Sequence, residues 1–232
     1  MGYDFLNFME KSISRRRFIT LAGLSPFILA NCASLGIKYS GDPSLKKLDM
    51  PPVRGFDLMG CTSYIVKGIS DYYGLNKSLE RINKDLKKGF WKPSFVTNIA
   101  AVLSGYGLNV DFYYLKNYSD SIKIYENMIP IEKLPEKGVK IHNKRLPLEE
   151  ITYSIDKENP TISFVNHRTL MGIPKENLNI GHVVAIKGYS EDYLYLNDTS
   201  KIFGERKVKK EIFEKSRIGI PLECSIILSK SL

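Results

Sequence analysis

The stretch 61–74, CTSYIVKGISDYYG, decides the fold, because it combines a reactive side chain with the pattern of an amphipathic helix. Gly74 is a typical helix stop, and three apolar residues recur at helical spacing: Ile65, Ile69 and Tyr72. A helix is therefore predicted from Cys61 to about Tyr73. At its first residue, unpaired backbone N–H groups and the helix dipole would stabilise a thiolate, so Cys61 is a candidate nucleophile.

Two more helices are predicted after this one. Ser78 is a typical N-cap for a helix that runs to about Lys87. A third helix is predicted from Pro93 or Ser94 to Leu103, because its apolar residues fall on one face.

The second half of the chain changes to the alternating, aromatic and β-branched pattern of strands. A helix is predicted at 147–159, beginning at a proline, and a short one at 209–215. The order of helices first and strands later predicts an α+β fold, with helices packed against an antiparallel sheet. The predicted strands are 108–115, 161–166, 182–189, 192–198 and 223–229.

The strands 182–189 and 192–198 carry two further candidates for chemistry. Only two residues separate these strands, so they are predicted to form a hairpin. His182 opens the first strand and Asp198 closes the second, which brings both to the same end of the hairpin. A carboxylate there can hold the imidazole tautomer and stabilise its charged form. Because neighbouring strand residues point to opposite faces, either Asp198 or Asn197 faces His182.

The segment 61–74 resembles the cysteine helix of the bacteriocin-processing, double-glycine-type peptidases and their stand-alone relatives. In that family a catalytic cysteine opens a helix that ends in Tyr-Tyr-Gly. Four later segments resemble the family's third helix with its following strand, its central strand, its histidine–aspartate hairpin and its basic tail strand with a short helix. These segments are KPSFVTNIAAVLSGYGLNVDFYYL (92–115), ENPTISFVN (158–166), GHVVAIKGYSEDYLYLNDTS (181–200) and GERKVKKEIFEKS (204–216).

The resemblance covers residues 53–230 and implies a papain-like fold. It also implies that Cys61 is the nucleophile, His182 the general base and Asp198 the residue that orients His182. The reaction implied is hydrolysis of a peptide or protein substrate, without a cofactor or metal.

The chain departs from the family pattern ahead of the cysteine. Family members usually place a glutamine six residues before the cysteine, where its amide stabilises the oxyanion, but Gly55 occupies that position here. Arg54 could replace this donor if its side chain folds inward, whereas an ionised Asp57 has no proton to donate. Losing one oxyanion donor typically slows the reaction by about 10²- to 10³-fold. An acyl or peptidyl transferase and a non-catalytic binding protein therefore stay open beside a peptidase.

The segment 14–32, SRRRFITLAGLSPFILANC, has the layout of an export signal, with arginines ahead of a short apolar run. Its Ser-Arg-Arg-x-Phe-Ile pattern resembles the twin-arginine signal, which implies the twin-arginine export machinery as a partner. The end of the run resembles the lipobox of bacterial lipoproteins, in which Cys32 would become lipidated and anchor the protein to the membrane. Asn31 departs from the small residue usual before that cysteine, so ordinary cleavage and an uncleaved anchor stay open.

Three regions follow from these patterns: an export signal at 1–31, a tether at 32–52 and a papain-like domain at 53–232. The tether lacks apolar periodicity and contains Pro51 and Pro52. The domain is predicted to act outside the cytoplasm, either in the periplasm or anchored to the membrane.

The remaining composition points to no second activity. The formal net charge is +9 over 232 residues, but the basic residues are spread along the chain, which predicts no nucleic-acid partner. No metal-ligand spacing or phosphate-binding glycine motif occurs. Polar surroundings predict that His142 and His167 lie on the surface, and an apolar strand predicts that Cys224 is buried and inert.

Overall fold

In the computed structural model, the described residues are 44–53, 60–87, 95–115, 128–173, 181–200, 204–218 and 223–231. Predictions for the export signal, for Cys32 and for Arg54, Gly55 and Asp57 lie outside these ranges. No helix within the described ranges is long and apolar enough to cross a membrane.

The first three helices begin close to where the sequence predicts them. Helix α1 spans Cys61–Tyr72, α2 spans Leu79–Asp85 and α3 spans Val96–Gly105. The Ser78 side chain accepts a hydrogen bond from the Arg81 N–H at 3.2 Å, as expected of an N-cap. These helices bury apolar residues of one face in a shared core, including Ile65, Ile82 and Ile99.

The strands form one sheet, in the order β3-β2-β8-β4-β5-β6-β7, and β1 pairs with β5. The pairs are antiparallel except for β2 with β3, which is parallel and differs from the predicted antiparallel pattern. The bounds are β1 Lys46–Lys47, β2 Leu108–Tyr114, β3 Val139–His142, β4 Thr161–Asn166, β5 Gly181–Tyr189, β6 Tyr193–Asn197, β7 Glu205–Lys209 and β8 Cys224–Lys230.

The sheet has apolar residues on both faces, so helices cover both. Val183 and Ala185 of β5 join the core that contains α1 to α3, whereas Val184 and Ile186 of the same strand join a second core. This alternation is the two-residue period of a strand buried on both faces. The second core includes residues of the three later helices, α4 (Leu148–Asp156), α5 (His167–Leu170) and α6 (Lys210–Arg217).

Residues 44–53, which include the end of the predicted tether at 32–52, pack against β5. Leu48, Met50 and Val53 are buried, and the Leu48 N–H donates to the Lys187 carbonyl at 2.7 Å. Apolar residues at spacings of two and then three form no periodic pattern, so the sequence does not reveal this packing.

Candidate active site

Cys61 is the first residue of α1, as predicted, and Gly60 is the N-cap. The backbone of this helix packs tightly on its surroundings, since a Cβ at Gly68 would come within 2.3 Å of the Val53 side chain. Cys61 is half-buried and free of a disulfide. The helix therefore holds the thiol firmly at its positive end.

His182 and Asp198 come together through the predicted hairpin. In the antiparallel pair of β5 and β6, Ala185 lies opposite Asn197, so the start of β5 and the end of β6 meet at one edge. His182 Nε2 lies 2.9 Å from Asp198 Oδ1, and the two residues are 8% and 0% exposed. His182 also interacts with the Cys61 thiol, and this interaction shifts the pKa values of both groups.

The surroundings shift the pKa values of Cys61 and His182 toward the charged pair. Burial acts to raise the pKa of the Cys61 thiol, but the hydrogen bond and charge of His182 and the N–H groups of Val183 and Thr62 lower it overall. Burial acts to lower the pKa of His182, but hydrogen bonds to Asp198 and Cys61 and the charges of both raise it to about 9. Both shifts favour a thiolate–imidazolium pair over the neutral thiol and imidazole.

Asp198 is a buried carboxylate with several donors. Its Oδ1 accepts hydrogen bonds from the Ser200 N–H at 2.9 Å and the Ser200 hydroxyl at 2.6 Å, in addition to His182. Its Oδ2 accepts a short bond from Arg206 Nε. Burial acts to raise the pKa of Asp198, but these partners lower it well below its ordinary value, so the group stays ionised.

Asn197 occupies a different environment from its neighbour. Its side-chain amide donates to the Pro51 carbonyl at 2.8 Å, on the side of the sheet where α1 packs. The alternation of strand residues thus separates the two candidates. Asp198 is hydrogen-bonded to His182, whereas Asn197 is hydrogen-bonded to Pro51, which precedes α1.

His167 contradicts the expectation of a surface position. Its ring packs edge-on against His182, with centroids 4.8 Å apart and an angle of 61° between the planes. Val165 of β4 lies opposite His182, so the chain turns into α5 directly beside the histidine. Burial, and then the charge of His182, lower the pKa of His167, which keeps it neutral at neutral pH. A pattern of residue types does not reveal which strands are neighbours, so this contact could not be predicted.

Of the other two predicted positions, the surface position of His142 is wrong and the buried position of Cys224 is confirmed. His142 is half-buried rather than on the surface, because it bonds Asp111 at 2.6 Å and stacks on Tyr113. Cys224 is buried as predicted, and desolvation raises the pKa of its thiol. Within the described residues, no group of three or more His, Cys, Asp or Glu side chains could hold a metal ion.

This arrangement can perform nucleophilic acyl chemistry. A thiolate at a helix start can attack a carbonyl, a charged imidazole beside it can donate a proton to a leaving group, and a buried carboxylate fixes the imidazole. His167, Ser200 and Arg206 complete the immediate surroundings. Residue patterns place none of these three at the site, because His167 and Arg206 reach it from other strands and Ser200 bonds Asp198 within a local turn.

Comparisons with known proteins place the fold. No protein-family model matches the chain, and no curated protein matches it. Among solved structures, a protein described as a C39-like peptidase from Bacillus anthracis has a TM-score of 0.53 and 13% identity, over 80% of this chain and 98% of that chain. The similarity concerns the fold, and the predicted α+β, papain-like architecture is confirmed.

Two further solved structures are similar at lower TM-scores. One is a double glycine motif protease from the AMS/PCAT transporter, in complex with the leader peptide, with TM-score 0.49, 20% identity and coverage of 80% of this chain and 94% of that chain. The other is the peptidase domain of Streptococcus ComA, a bi-functional ABC transporter of a quorum-sensing pathway, with TM-score 0.47, 14% identity and coverage of 80% and 99%.

Proposed function

We propose that the protein is a cysteine peptidase that hydrolyses peptide bonds through Cys61, His182 and Asp198. The observation that carries the proposal is the buried hydrogen bond between His182 and Asp198, together with the interaction of His182 with the Cys61 thiol at the start of α1. A cysteine that only packs in a core needs no charged histidine beside it, and Cys224 has none.

In the first half of the reaction, the Cys61 sulfur attacks the carbonyl carbon of the scissile peptide bond. The carbonyl π electrons move to the oxygen, which becomes the oxyanion of a tetrahedral intermediate. His182 then gives its proton to the leaving nitrogen as the C–N bond breaks. An amine leaves, and the remaining acyl group is held on Cys61 as a thioester.

In the second half, neutral His182 takes a proton from a water molecule that attacks the thioester carbonyl. The new C–O bond forms, the C–S bond breaks, and the released thiolate pairs again with the imidazolium. Asp198 keeps the ring in the same orientation in both halves, because Ser200 and Arg206 hold the carboxylate itself.

The oxyanion needs donors near Cys61. The Cys61 N–H is the first of α1, and the first N–H groups of a helix have no acceptor within the helix. The Thr62 N–H contacts the Cys61 sulfur. In the absence of the usual glutamine at position 55, Arg54 is the proposed side-chain donor, since Asp57 cannot donate when ionised.

We also propose that the peptidase works outside the cytoplasm. The support is the sequence alone: a twin-arginine-like signal within residues 14–32 and a lipobox-like end at Cys32. A lipid on Cys32 would leave a short tether before the folded unit. Cell fractionation of the intact protein, compared with a variant in which Arg15 and Arg16 are both lysine, tests this point separately from catalysis.

The test of the proposed activity is cleavage of a peptide library by the full chain. Mass spectrometry would follow new termini, and Cys61→Ala should lower the rate by at least about 10⁴-fold, because the nucleophile is lost. Cys224→Ala is the matched control and should retain the wild-type rate. Equal cleavage by Cys61→Ala and wild type would exclude the proposal.

The same experiment separates hydrolysis from transfer. Added amine acceptors compete with water for the thioester, so a transferase would yield mainly amide products. A hydrolase yields mainly free carboxylates under the same conditions. A dominant amide product would replace the peptidase by a transferase while leaving the roles of Cys61 and His182 unchanged.

A further inference from the structure

The carboxylate that orients His182 is itself bonded to a buried arginine. Arg206 lies on β7, two strands away from His182, and its side chain is only 9% exposed. Its Nε donates a hydrogen bond to Asp198 Oδ2, while Asp198 Oδ1 is hydrogen-bonded to His182 and Ser200. The two oxygens of Asp198 are thus divided between the arginine and the active-site histidine.

In the ion-pair state that these interactions favour, four groups alternate in charge: Cys61 thiolate, His182 imidazolium, Asp198 carboxylate and Arg206 guanidinium. A buried ion is costly unless paired, and here each inner ion has an opposite charge on both sides. The ionisable groups around His182 come from four elements: Cys61 of α1, His167 of α5, Asp198 after β6 and Arg206 of β7. His167 is neutral, so Asp198 and Arg206 dominate the field on the side of the ring away from Cys61.

An uncompensated carboxylate would hold the proton on His182 too strongly. The reaction requires His182 to release this proton to the leaving amine and then to accept another from water. A positive charge behind the carboxylate weakens its pull on the imidazolium and also keeps the carboxylate ionised. A lysine or arginine on the surface would be screened by water, but a buried guanidinium is not.

We propose that Arg206 is a positioning residue of the active site, which holds Asp198 as an ionised acceptor and limits how strongly Asp198 retains the proton on His182. This inference rests on the proposed peptidase chemistry, because it assigns Arg206 a role only through Asp198 and His182. The extended set is therefore Cys61, His182, Asp198 and Arg206, with Arg206 outside contact with the substrate.

The proposal predicts a shift in the pH at which His182 loses its proton. Iodoacetate carries a negative charge that the imidazolium attracts, whereas iodoacetamide is neutral. The ratio of their alkylation rates at Cys61 should therefore fall as His182 deprotonates, near pH 9 in the wild type. Arg206→Gln should move this midpoint upward by about one pH unit, because a nearby positive charge is removed.

Two variants separate charge from general damage. Arg206→Lys keeps the positive charge, and because the shift is caused by that charge, the midpoint should stay within about 0.3 pH units of the wild type. Arg145→Gln removes an arginine from another ion pair, with Glu223, and should cause no shift. If Arg206→Gln does not fold, Arg206→Met replaces it as the variant without the charge. Arg206→Lys also tests the claim by itself, because an upward shift of its midpoint by a full pH unit would contradict it.

The outcomes distinguish this inference from the proposed function. Full-chain protein is alkylated across the pH range, and Cys61 is followed by peptide mass spectrometry so that Cys32 does not interfere. An upward midpoint in Arg206→Gln, absent in Arg145→Gln, supports the inference. An unchanged midpoint in Arg206→Gln overturns it while leaving the peptidase intact. A wild-type ratio that does not change with pH overturns the ion pair itself, and with it both proposals.

Discussion

Two cysteines lie in the described part of the chain, and their surroundings shift the pKa values of their thiols in opposite directions. Cys61 starts a helix beside His182, and its pKa is lowered despite burial. Cys224 starts strand β8 in an apolar core, and burial raises the pKa of its thiol. Burial alone thus makes a thiol less reactive, whereas burial beside a charged histidine and backbone donors makes it more reactive.

A similar contrast exists between two histidine–aspartate pairs on the same sheet. His182 and Asp198 are nearly inaccessible and adjoin a thiol. His142 Nε2 on β3 lies 2.6 Å from Asp111 Oδ1 on β2, and the two side chains are 20% and 32% exposed. Both pairs have the right residue types, so the position of the pair relative to Cys61 decides which one can do chemistry. His142 and Asp111 therefore provide matched controls for substitutions of His182 and Asp198.

The largest effect is expected from His182→Ala. The thiol loses the partner that lowers its pKa, and the leaving amine loses its proton donor, so peptide cleavage should fall by about 10²- to 10⁴-fold. Initial rates of peptide cleavage measure this. His142→Ala should cleave at the wild-type rate, and an equal loss in both variants would mean that the effect is structural.

A smaller loss is expected from Asp198→Asn. The amide can still bond the His182 ring but does not stabilise its charge and can favour the wrong tautomer, so we expect a loss of about 10²-fold in kcat/KM. Asp111→Asn is the control and should keep full activity. A fully active Asp198→Asn would assign the orientation of His182 to another group.

The pH dependence of cleavage should be bell-shaped. The rate should rise where Cys61 loses its proton, at a pH below that of an ordinary thiol, since its pKa is lowered. It should fall as His182 loses its proton near pH 9, because its pKa is raised to about 9. Values of kcat/KM across this range give both limbs. An alkaline limb near pH 6.5, the ordinary value for histidine, would contradict the charged pair.

The smallest effect is expected from Cys224→Ala. Removing a buried sulfur from the core should lower the free energy of unfolding by about 1 kcal/mol, without changing cleavage. Urea unfolding and initial rates measure the two quantities. A loss of activity without a loss of stability would show that Cys224 takes part in the reaction, and the contrast between the two cysteines would not hold.

Local patterns in the sequence were sufficient for the parts of the site that lie on single elements. The helix spacing after Cys61 and the two-residue gap between the predicted strands 182–189 and 192–198 depend only on near neighbours in the chain. They predict the helix start and the meeting of His182 with the end of β6. The choice between Asp198 and Asn197 required the structure, because strand alternation states only that the two point to opposite faces.

Contacts between distant segments could not be predicted. His167 reaches His182 because β4 lies next to β5, and Arg206 reaches Asp198 because β7 lies next to β6. The segment that contains Leu48 and Met50 packs on β5 although its composition is typical of a tether. In each case the deciding fact is which strands are neighbours, and residue patterns within one segment do not encode it.

The central claim is that Cys61 is an activated thiolate, and its alkylation at mildly acidic pH tests it most directly. Iodoacetamide would be applied to the native full chain near pH 6, and Cys61 and Cys224 would be followed by mass spectrometry. Native Cys61 should react at least about ten times faster than in denatured protein, and the excess should vanish in His182→Ala, while native Cys224 should hardly react. If native Cys61 reacts no faster than in denatured protein, the account is contradicted.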